Sequence, residues 1–591
     1  MKTLPAVDVL IVGGGWTGLL MAKELGSRTP LSVLVLERGP VHSPDEYVKE
    51  MDELDGAIRK RSNVKVQDCS KETATLRRSE SERALPLREL GLLIPGTGIG
   101  GAGEHWGATA YRIMPDCFQL LSKTIEKYGA KRLPEDHSIQ DWGLTYDEME
   151  PYYTRAENLI GASGKAGNIQ GKLIEGGNIF EGWRSGEYPT PPTTTPYFSS
   201  LFRDAVKSVG YHPYPAPTAT LSEAHTNPDG ISRPGCTFCG YCNMFGCMIG
   251  AKAQPTNVLL PVIKRHNNVS IRTGAWVRRI LREDSPSKGR VRGVTYVDAS
   301  GEEFFQPAEL VVLATWTLNN TRLLLLSGIG EPYNPATGKG NVGRNLTADL
   351  KFAAARVLME KPLNRFMGSA PTGIYIGDLE GGVLDNTNLP FLRGGLLRAL
   401  NTGFQPIASF GAILPRSAKG RWGAEWKKAA VYWYDRMHDI RWDGEVFAYK
   451  GNYMDLDPTY KDVHGDPLIR MTMDWRDNER RMAEFGTAKG VEVARLMGAK
   501  EIIPFGGLGH FDANPYVVTQ LRGGTVMGAS PDNSVVNPFL QHHQALNLFV
   551  LGSSVIPQAP TARPTLSLIA MTIRVADAIV DKYLKKPGPL A

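Results

Sequence analysis

Within the first forty residues, one pattern restricts the fold more than any other. An apolar run, Val7 to Val12 broken only by Asp8, leads into Gly13-x-Gly15-x-x-Gly18. Leu19 to Leu25 follows with the spacing of a helix that has one apolar face, and Leu31 to Leu36 is a second apolar run that ends at Glu37. Strand, glycine turn, helix and strand in this order predict a βαβ unit of a Rossmann-type parallel sheet, whose strands are apolar on both faces. The pattern also predicts a ligand. Gly13 makes the tight turn, Gly15 lets the backbone approach a pyrophosphate at the positive end of the helix, and Gly18 allows helix and strand to pack closely. Glu37 stands where a carboxylate meets ribose hydroxyls. Together they specify a dinucleotide without separating a flavin from a nicotinamide one.

The far end of the chain separates them. Asn547-Leu-Phe-Val-Leu-Gly552-Ser-Ser reads as another buried strand and turn. Pro564-Thr565 opens a final helix, about Leu566 to Leu584, that contains Arg574-Val-Ala-Asp577. A second cofactor-contacting strand and helix more than 500 residues downstream is a habit of FAD enzymes and rare in nicotinamide domains. Between the two ends, a second glycine cluster runs from Gly96 to Gly103. Val269 to Ile280 and Val291 to Val297 read as strands of a small sheet, Leu310 to Ala314 as a buried strand, and Asn320 to Ser327 as a leucine-rich helix. Residues 41 to about 90 are polar with a helical look, 160 to 235 are rich in loops and proline, and 346 to 505 are mixed. In the mixed stretch Trp422, Trp426 and Trp433 have helix-compatible spacing and read as packing residues.

Cysteine usage adds a second chemistry. Cys69 and Cys117 stand alone, whereas Cys236, Cys239, Cys242 and Cys247 fall within twelve residues. Such crowding is wrong for a disulfide framework in a large enzyme and reads as metal ligation in a reducing compartment. Two C-x-x-C steps that share a cysteine favour an iron–sulfur cluster; zinc competes, because four thiolates suit it equally well. A cluster beside a flavin takes electrons one at a time, which argues for a dehydrogenase over an oxidase that reacts with O2. The remaining composition is ordinary for a globular protein: 42% hydrophobic, 22% charged, with a formal net charge of +6 over 591 residues. No basic tract asks for nucleic acid, and no apolar run approaches the roughly 18 residues of a membrane span. The N-terminus runs directly into the first strand, so no signal peptide is expected.

With GTGIGGAGEHW at 96–106, LLLLSGIG at 323–330, NVGRNL at 341–346 and the C-terminal stretch, the chain resembles the glucose–methanol–choline (GMC) oxidoreductases over nearly its whole length. RPGCTFCGYC, YMDLDPTYKDVHGDPLIRMTMDW and YLKKPGPL carry a closer likeness to flavin-bearing large subunits of bacterial dehydrogenases in that family. The resemblance implies an α/β fold, α+β overall. A discontinuous FAD-binding domain (1–165, 230–345 and 505–591, with an iron–sulfur loop at 232–252) would carry a β-sheet substrate or cap domain (166–229 and 346–504). It implies FAD contacts at Gly13, Gly15, Gly18, Glu37, Gly101, the backbone near Val277, Gly552 and Thr565. His105, in the Glu-His-Trp triplet, matches the histidine that some relatives bond covalently to the flavin 8α carbon; a histidine packed beside Trp106 is the alternative. Relatives hold a [3Fe–4S] cluster on three cysteines, and the four here leave [4Fe–4S] open.

The implied reaction is oxidation of a sugar, sugar acid, glycoside or related hydroxylated compound, with electrons passing from FAD through the cluster to an external cytochrome or quinone. In relatives a small subunit carries the export signal and a cytochrome subunit anchors the complex. The chain is therefore expected in the cytoplasm, or in the periplasm if exported with such a partner. At the catalytic positions the pattern breaks. The family's base is a histidine shortly before a Gly-Gly pair, partnered by a histidine or asparagine before Pro-Thr. Here those positions hold Gln520, in TQLRGGTVMG, and Arg563, in TARPTL. Glutamine is no general base, and arginine keeps its proton. Three readings follow. Arg563 clamps an anionic or polar substrate while another group is the base, with His510, His542 and His543 nearest in sequence and His510, in GLGHFDAN, first among them. Alternatively, Arg563 stabilises an anionic reduced flavin, and a non-alcohol substrate needs no histidine. The third reading is a non-catalytic flavin and iron–sulfur electron-transfer subunit.

Overall fold

The computed structural model describes residues 1–42, 67–88, 90, 93, 95–243, 245–283, 289–365, 372–401, 414, 422–513, 520–561 and 563–590. The helical look expected over 41–90 falls largely on 43–66, outside the described residues.

The first apolar runs form the strands Val7–Val12 and Val33–Leu36, parallel neighbours joined through the helix Trp16–Arg28. Val33–Leu36 is buried throughout, as are the last four residues of Val7–Val12; a central parallel sheet covered on both faces requires this. Val269–Arg272 pairs in parallel with Val33–Leu36, and the eleven-residue strand Glu303–Leu313 pairs with Val7–Val12. The long strand serves two sheets at once. From Ala308 onward it pairs in parallel with Val7–Val12 and, across its other edge, with Leu548–Val550. Before that point it pairs antiparallel with Val291–Val297, which pairs antiparallel with Trp276–Arg282. The changeover falls at Pro307, which has no N–H for a ladder and lies opposite Gly293. A Cβ on Gly293 would sit 2.1 Å from the Gln306 carbonyl oxygen. Thr317–Leu326 and Thr565–Ala578 are the helices expected in those regions, the second continuing as a π-helical turn through Tyr583.

A second sheet is six-stranded and antiparallel, in the order Glu501–Pro504, Leu350–Leu358, Met437–Gly444, Gly395–Leu400, Gly373–Ile376, Pro213–Pro215. The helices Asp477–Leu496 and Tyr197–Lys207 pack on it. Side chains alternate between the faces of a strand. Leu350, Phe352, Leu397, Ala399, Ile440 and Trp442 enter the core, whereas Lys351, Ala353, Arg398, Leu400, Asp439 and Arg441 line a cavity. A register shift between Ala353 and Ala355 turns Arg356 to the cavity side as well.

A smaller sheet joins Ala74–Arg77 in parallel to Pro467–Thr472, so it draws strands from both of the regions 1–165 and 346–504. Thr347–Ala348 pairs with Leu521–Arg522, and this short ladder carries Gln520 to the edge of the second sheet. The helix Gly423–Tyr434 buries only Ala430. Trp422, just before it, is 85% exposed, so the packing role expected for these tryptophans fails there. Among the described residues, no helix is long and apolar enough to cross a membrane.

Candidate active site

A cavity of about 640 Å³ is lined from both large sheets, a volume within the range of about 300–1,000 Å³ that ligand sites occupy. Gly13, Gly15, Glu37, Gly101, His105, Val277, Gly552 and Thr565 all line it. Gly18 lies beneath, where a Cβ would fall 1.9 Å from the Gly13 carbonyl oxygen. Gly13 itself has φ +105°, in the left-handed region that favours glycine. At Gly15 the situation reverses: a Cβ would meet no protein atom within 4 Å. Its open side faces the cavity at the start of the helix Trp16–Arg28, and no side chain caps that first turn. Uncapped N–H groups at the positive end of a helix, bordered by glycine, make a ready phosphate site. The residues present therefore fit the pyrophosphate of FAD.

Glu37 plays a larger part than the one expected of it. Its carboxylate accepts the N–H groups of Gly14 (2.8 Å), Gly39 (2.9 Å) and Gly98 (3.1 Å). It thus ties the first glycine turn to the second glycine cluster while bordering the cavity. An ionised carboxylate has about four acceptor positions, which leaves capacity for a ribose hydroxyl.

The antiparallel sheet supplies a wall of different character. Lys351, Arg398, Arg441, Gln520 and Arg563 line it. Asp443, 2% exposed, is the buried counter-charge: Arg398 Nη2 lies 2.9 Å from Oδ1 and Arg563 Nη2 3.9 Å from Oδ2. Against burial, which raises it, Arg398, Arg563 and Lys351 hold the Asp443 carboxyl below the usual range. Burial, and then Arg563, push Lys351 well below the ordinary lysine value, with Asp443 opposing and Arg522 and Arg398 adding to the shift. Arg522 itself is pushed down to about 10, chiefly by burial. The Lys351 ammonium nitrogen contacts Asp349 Oδ2, and Asp349 Oδ1 accepts the Gln520 N–H at 2.9 Å. Sequence reasoning found Gln520 and Arg563 but missed Lys351, Arg398, Arg441 and Asp443. The signal available was charge at alternate positions in MHDIRWDG and lone charges set in the otherwise apolar runs LKFAAARVL and GLLRAL.

The histidines expected as bases stand elsewhere. His510 does not line the cavity; it is exposed, with Nδ1 2.6 Å from Asp474. The buried His542 accepts the N–H groups of Gln544 and Ala545 on Nδ1 and is pushed down to about 4 by burial and His543. His543 bonds Ser534 at 2.8 Å. The imidazoles that do line the cavity are His105 and His438. His438 is stacked on Phe198 at 4.2 Å, accepts the Asp439 N–H on Nδ1, and is held neutral, near 3, by burial and Arg365.

Cys236, Cys239, Cys242 and Cys247 form no disulfide. Among the described residues, no three His, Cys, Asp or Glu side chains gather so as to hold a metal. The thiols as placed therefore do not fit the expected iron–sulfur cluster or its zinc alternative. Loop main chain attends to two of the sulfurs instead: the Phe238 N–H points to Cys236 Sγ and the Lys252 N–H to Cys247 Sγ. The loop is nonetheless fastened to the cavity. Buried Lys252 donates to the carbonyls of Glu104 (3.1 Å), Trp106 (3.0 Å), Cys242 (2.9 Å) and Phe245 (2.7 Å), stapling the cysteine loop to the segment that carries His105. Asn243, on the same loop, lines the cavity.

Known proteins resemble this arrangement in sequence and fold. Two family models described as GMC oxidoreductase match residues 223–351 and 448–572. The gluconate 2-dehydrogenase flavoprotein of Pantoea cypripedii is 40% identical, over 99% of this chain and 95% of that protein. The fructose dehydrogenase large subunit of Gluconobacter japonicus is 26% identical over 98% of each. Among solved structures, pyridoxine 4-oxidase from Mesorbium loti matches with TM-score 0.58 and 17% identity, over 96% of this chain and 98% of that one. A formate oxidase variant from Aspergillus oryzae RIB40 matches with TM-score 0.59 and 16% identity over 99% of both. At these identities the solved structures speak for the fold alone.

Proposed function

Since the chain belongs to the GMC oxidoreductase family and is an FAD-dependent oxidoreductase acting on CH–OH donors, we propose that its substrate is a hydroxylated carboxylate of the sugar-acid class. The observation that carries this reading is the cationic wall: Arg398, Arg441 and Arg563 share the cavity with the glycine cradle, and Asp443 is the buried counter-charge of Arg398 and Arg563. A carboxylate substrate completes that balance, and guanidinium groups bind it in planar, two-point fashion. A relative named for gluconate supports the same class.

FAD, held by the residues of the glycine cradle, supplies the acceptor for the hydride of a carbinol carbon. This chain's own residues bind and orient. Arg563, at the family's second catalytic position, and Arg398 fix the carboxylate, and the position of the missing histidine holds Gln520, a hydrogen-bonding group. A partner subunit and an external cytochrome or quinone acceptor complete the reading, supported by the fructose dehydrogenase relative that is named as a large subunit. An iron–sulfur cluster on the cysteine loop rests on cysteine spacing and the family resemblance, and no step is assigned to it.

Anaerobic mixing of the flavin-loaded protein with D-gluconate and with D-glucose tests the proposal. Bleaching of the flavin band by gluconate, and at least about tenfold slower bleaching by glucose, is the expected result, since a lost charge-assisted hydrogen bond is worth about 1.5–3 kcal/mol. Equal rates for the two would remove the anion reading. Silence with every sugar and sugar acid would favour an electron-transfer subunit.

A further inference from the structure

Oxidation of a hydroxyl needs a destination for its proton. Neither Gln520 nor Arg563 provides one, and His510, His542 and His543 lie outside the cavity. Of the two imidazoles that line the cavity, His438 has its Nδ1 engaged by its own strand, and His105 stands where the family resemblance places a partner of the flavin ring. The geometry points to Lys351 as the general base, a residue that lines the cavity beside Gln520 and Arg563 and whose ammonium nitrogen contacts the carboxylate that holds the Gln520 N–H. The assignment rests on the sugar-acid reading for its substrate, and it places the base against the residue that occupies the family's histidine position.

Three features support it. First, the strand places it: Lys351 follows Leu350 and precedes Phe352, both in the core, so alternation drives its side chain into the cavity. Second, its surroundings oppose a resident ammonium. The charged groups that face it are Arg563, Arg522 and Arg398 on one side of the balance and Asp443 and Asp349 on the other, and the site is buried. Burial and the guanidiniums favour the neutral amine, which has a lone pair to offer. Third, Asp349 supplies what a base needs after the proton arrives. It orients the amine and stabilises the ammonium that forms, the arrangement of base and orienting carboxylate common to proton-abstracting sites. The balance is simple: the substrate O–H bond breaks, an N–H bond forms on Lys351, and the carbinol carbon gives its hydride to the flavin and becomes a carbonyl. The ammonium then returns its proton to solvent.

A cation that merely clamps the carboxylate would also line this wall, and Lys351→Arg separates the two roles because arginine is permanently charged, so it can clamp, and cannot accept the proton. In the variant, gluconate affinity by calorimetry stays within about threefold, while flavin reduction slows by about 10²–10⁴-fold, the usual contribution of a general base. The wild-type rate rises with pH through one ionisation, and that limb is absent from Lys351→Arg. A rate within about tenfold of wild type with the limb intact, or a parallel loss of gluconate binding and rate, would overturn the assignment. A second readout needs no substrate and no variant: acetic anhydride labelling of the wild-type protein across pH, read by mass spectrometry. A Lys351 midpoint far below that of the exposed lysines is expected; a midpoint equal to theirs, or no labelling, overturns the proposal. Failure of gluconate to reduce the wild-type flavin would fall on the substrate reading and leave the labelling result to judge Lys351.

Discussion

The two sheets that share the cavity address it in opposite ways. The parallel sheet offers main chain: the bare face at Gly15, the uncapped helix N-terminus behind it, and Glu37 engaged with three backbone N–H groups. The antiparallel sheet offers side chains: Lys351, Arg398 and Arg441, spaced by alternation and balanced by Asp443. Backbone recognition suits a part that never changes, such as a pyrophosphate. Side-chain recognition suits a part that differs between substrates, because the identity of a side chain varies while the hydrogen-bond ladder of its strand stays the same.

The comparison breaks most forcefully at Arg398. Arg398→Met leaves Asp443 buried without its best partner, and breaking a buried pair costs about 3–5 kcal/mol. Urea denaturation should show that loss while the affinity of the residual folded protein for FAD changes little; a variant as stable as wild type would mean that the wall is not electrostatically interlocked. On the other sheet, Gly18→Val forces a Cβ into the Gly13 carbonyl. Such overpacking costs about 1–3 kcal/mol or more, and at least about 100-fold weaker FAD binding is expected in a flavin fluorescence titration. Gly15→Ala sharpens the contrast. Its Cβ meets no protein atom, so the melting temperature should hold while FAD binding weakens about tenfold, a difference of about 1.4 kcal/mol. Next in size is Lys252→Met, which takes a donor from four carbonyls. A buried acceptor left unsatisfied costs about 1–3 kcal/mol, and faster hydrogen exchange confined to 104–106 and 242–252 would locate the damage.

The mildest effect concerns pH. Glu380, fully buried and bonded by the Thr561 hydroxyl, is pushed up to about 8 by burial, with Glu445 and Asp116 adding to the shift. Its folded value exceeds its unfolded one, so its contribution is complete below about 4.5 and is lost as pH rises toward and through 8. Glu380→Gln should flatten the stability–pH curve between those values, with little change at pH 4.5. An unchanged slope would show that this carboxyl ionises freely in the folded protein.

These differences also explain which parts of the molecule could be read in advance. Gly13 and Gly18 announce themselves because main-chain geometry admits no other residue there, and Gly15 because a pyrophosphate must approach its bare face; both large motifs at the chain ends follow from the same sheet. Arg398 and Lys351 do not, since a charged residue on an alternating strand ordinarily marks a solvent face; only the parallel-sheet unit across the cavity turns that face into a wall. His510 misled by proximity in sequence: ten residues from Gln520, it is held at the surface by Asp474. The cysteines were conspicuous as letters, but gathering around a metal depends on loop geometry that spacing does not dictate.

One feature of the parallel sheet bears on how the protein is made. Leu313 is flanked by Val12 on one side and Val550 on the other. A ribosome adding about 5–20 residues per second therefore leaves the edge at Val311–Leu313 unpaired from the time that strand emerges until Leu548–Val550 follows, and the nascent chain has no completed flavin pocket before then. Chains cut short before residue 550 should therefore lack that pairing and be prone to edge-to-edge association, not act as a weaker enzyme.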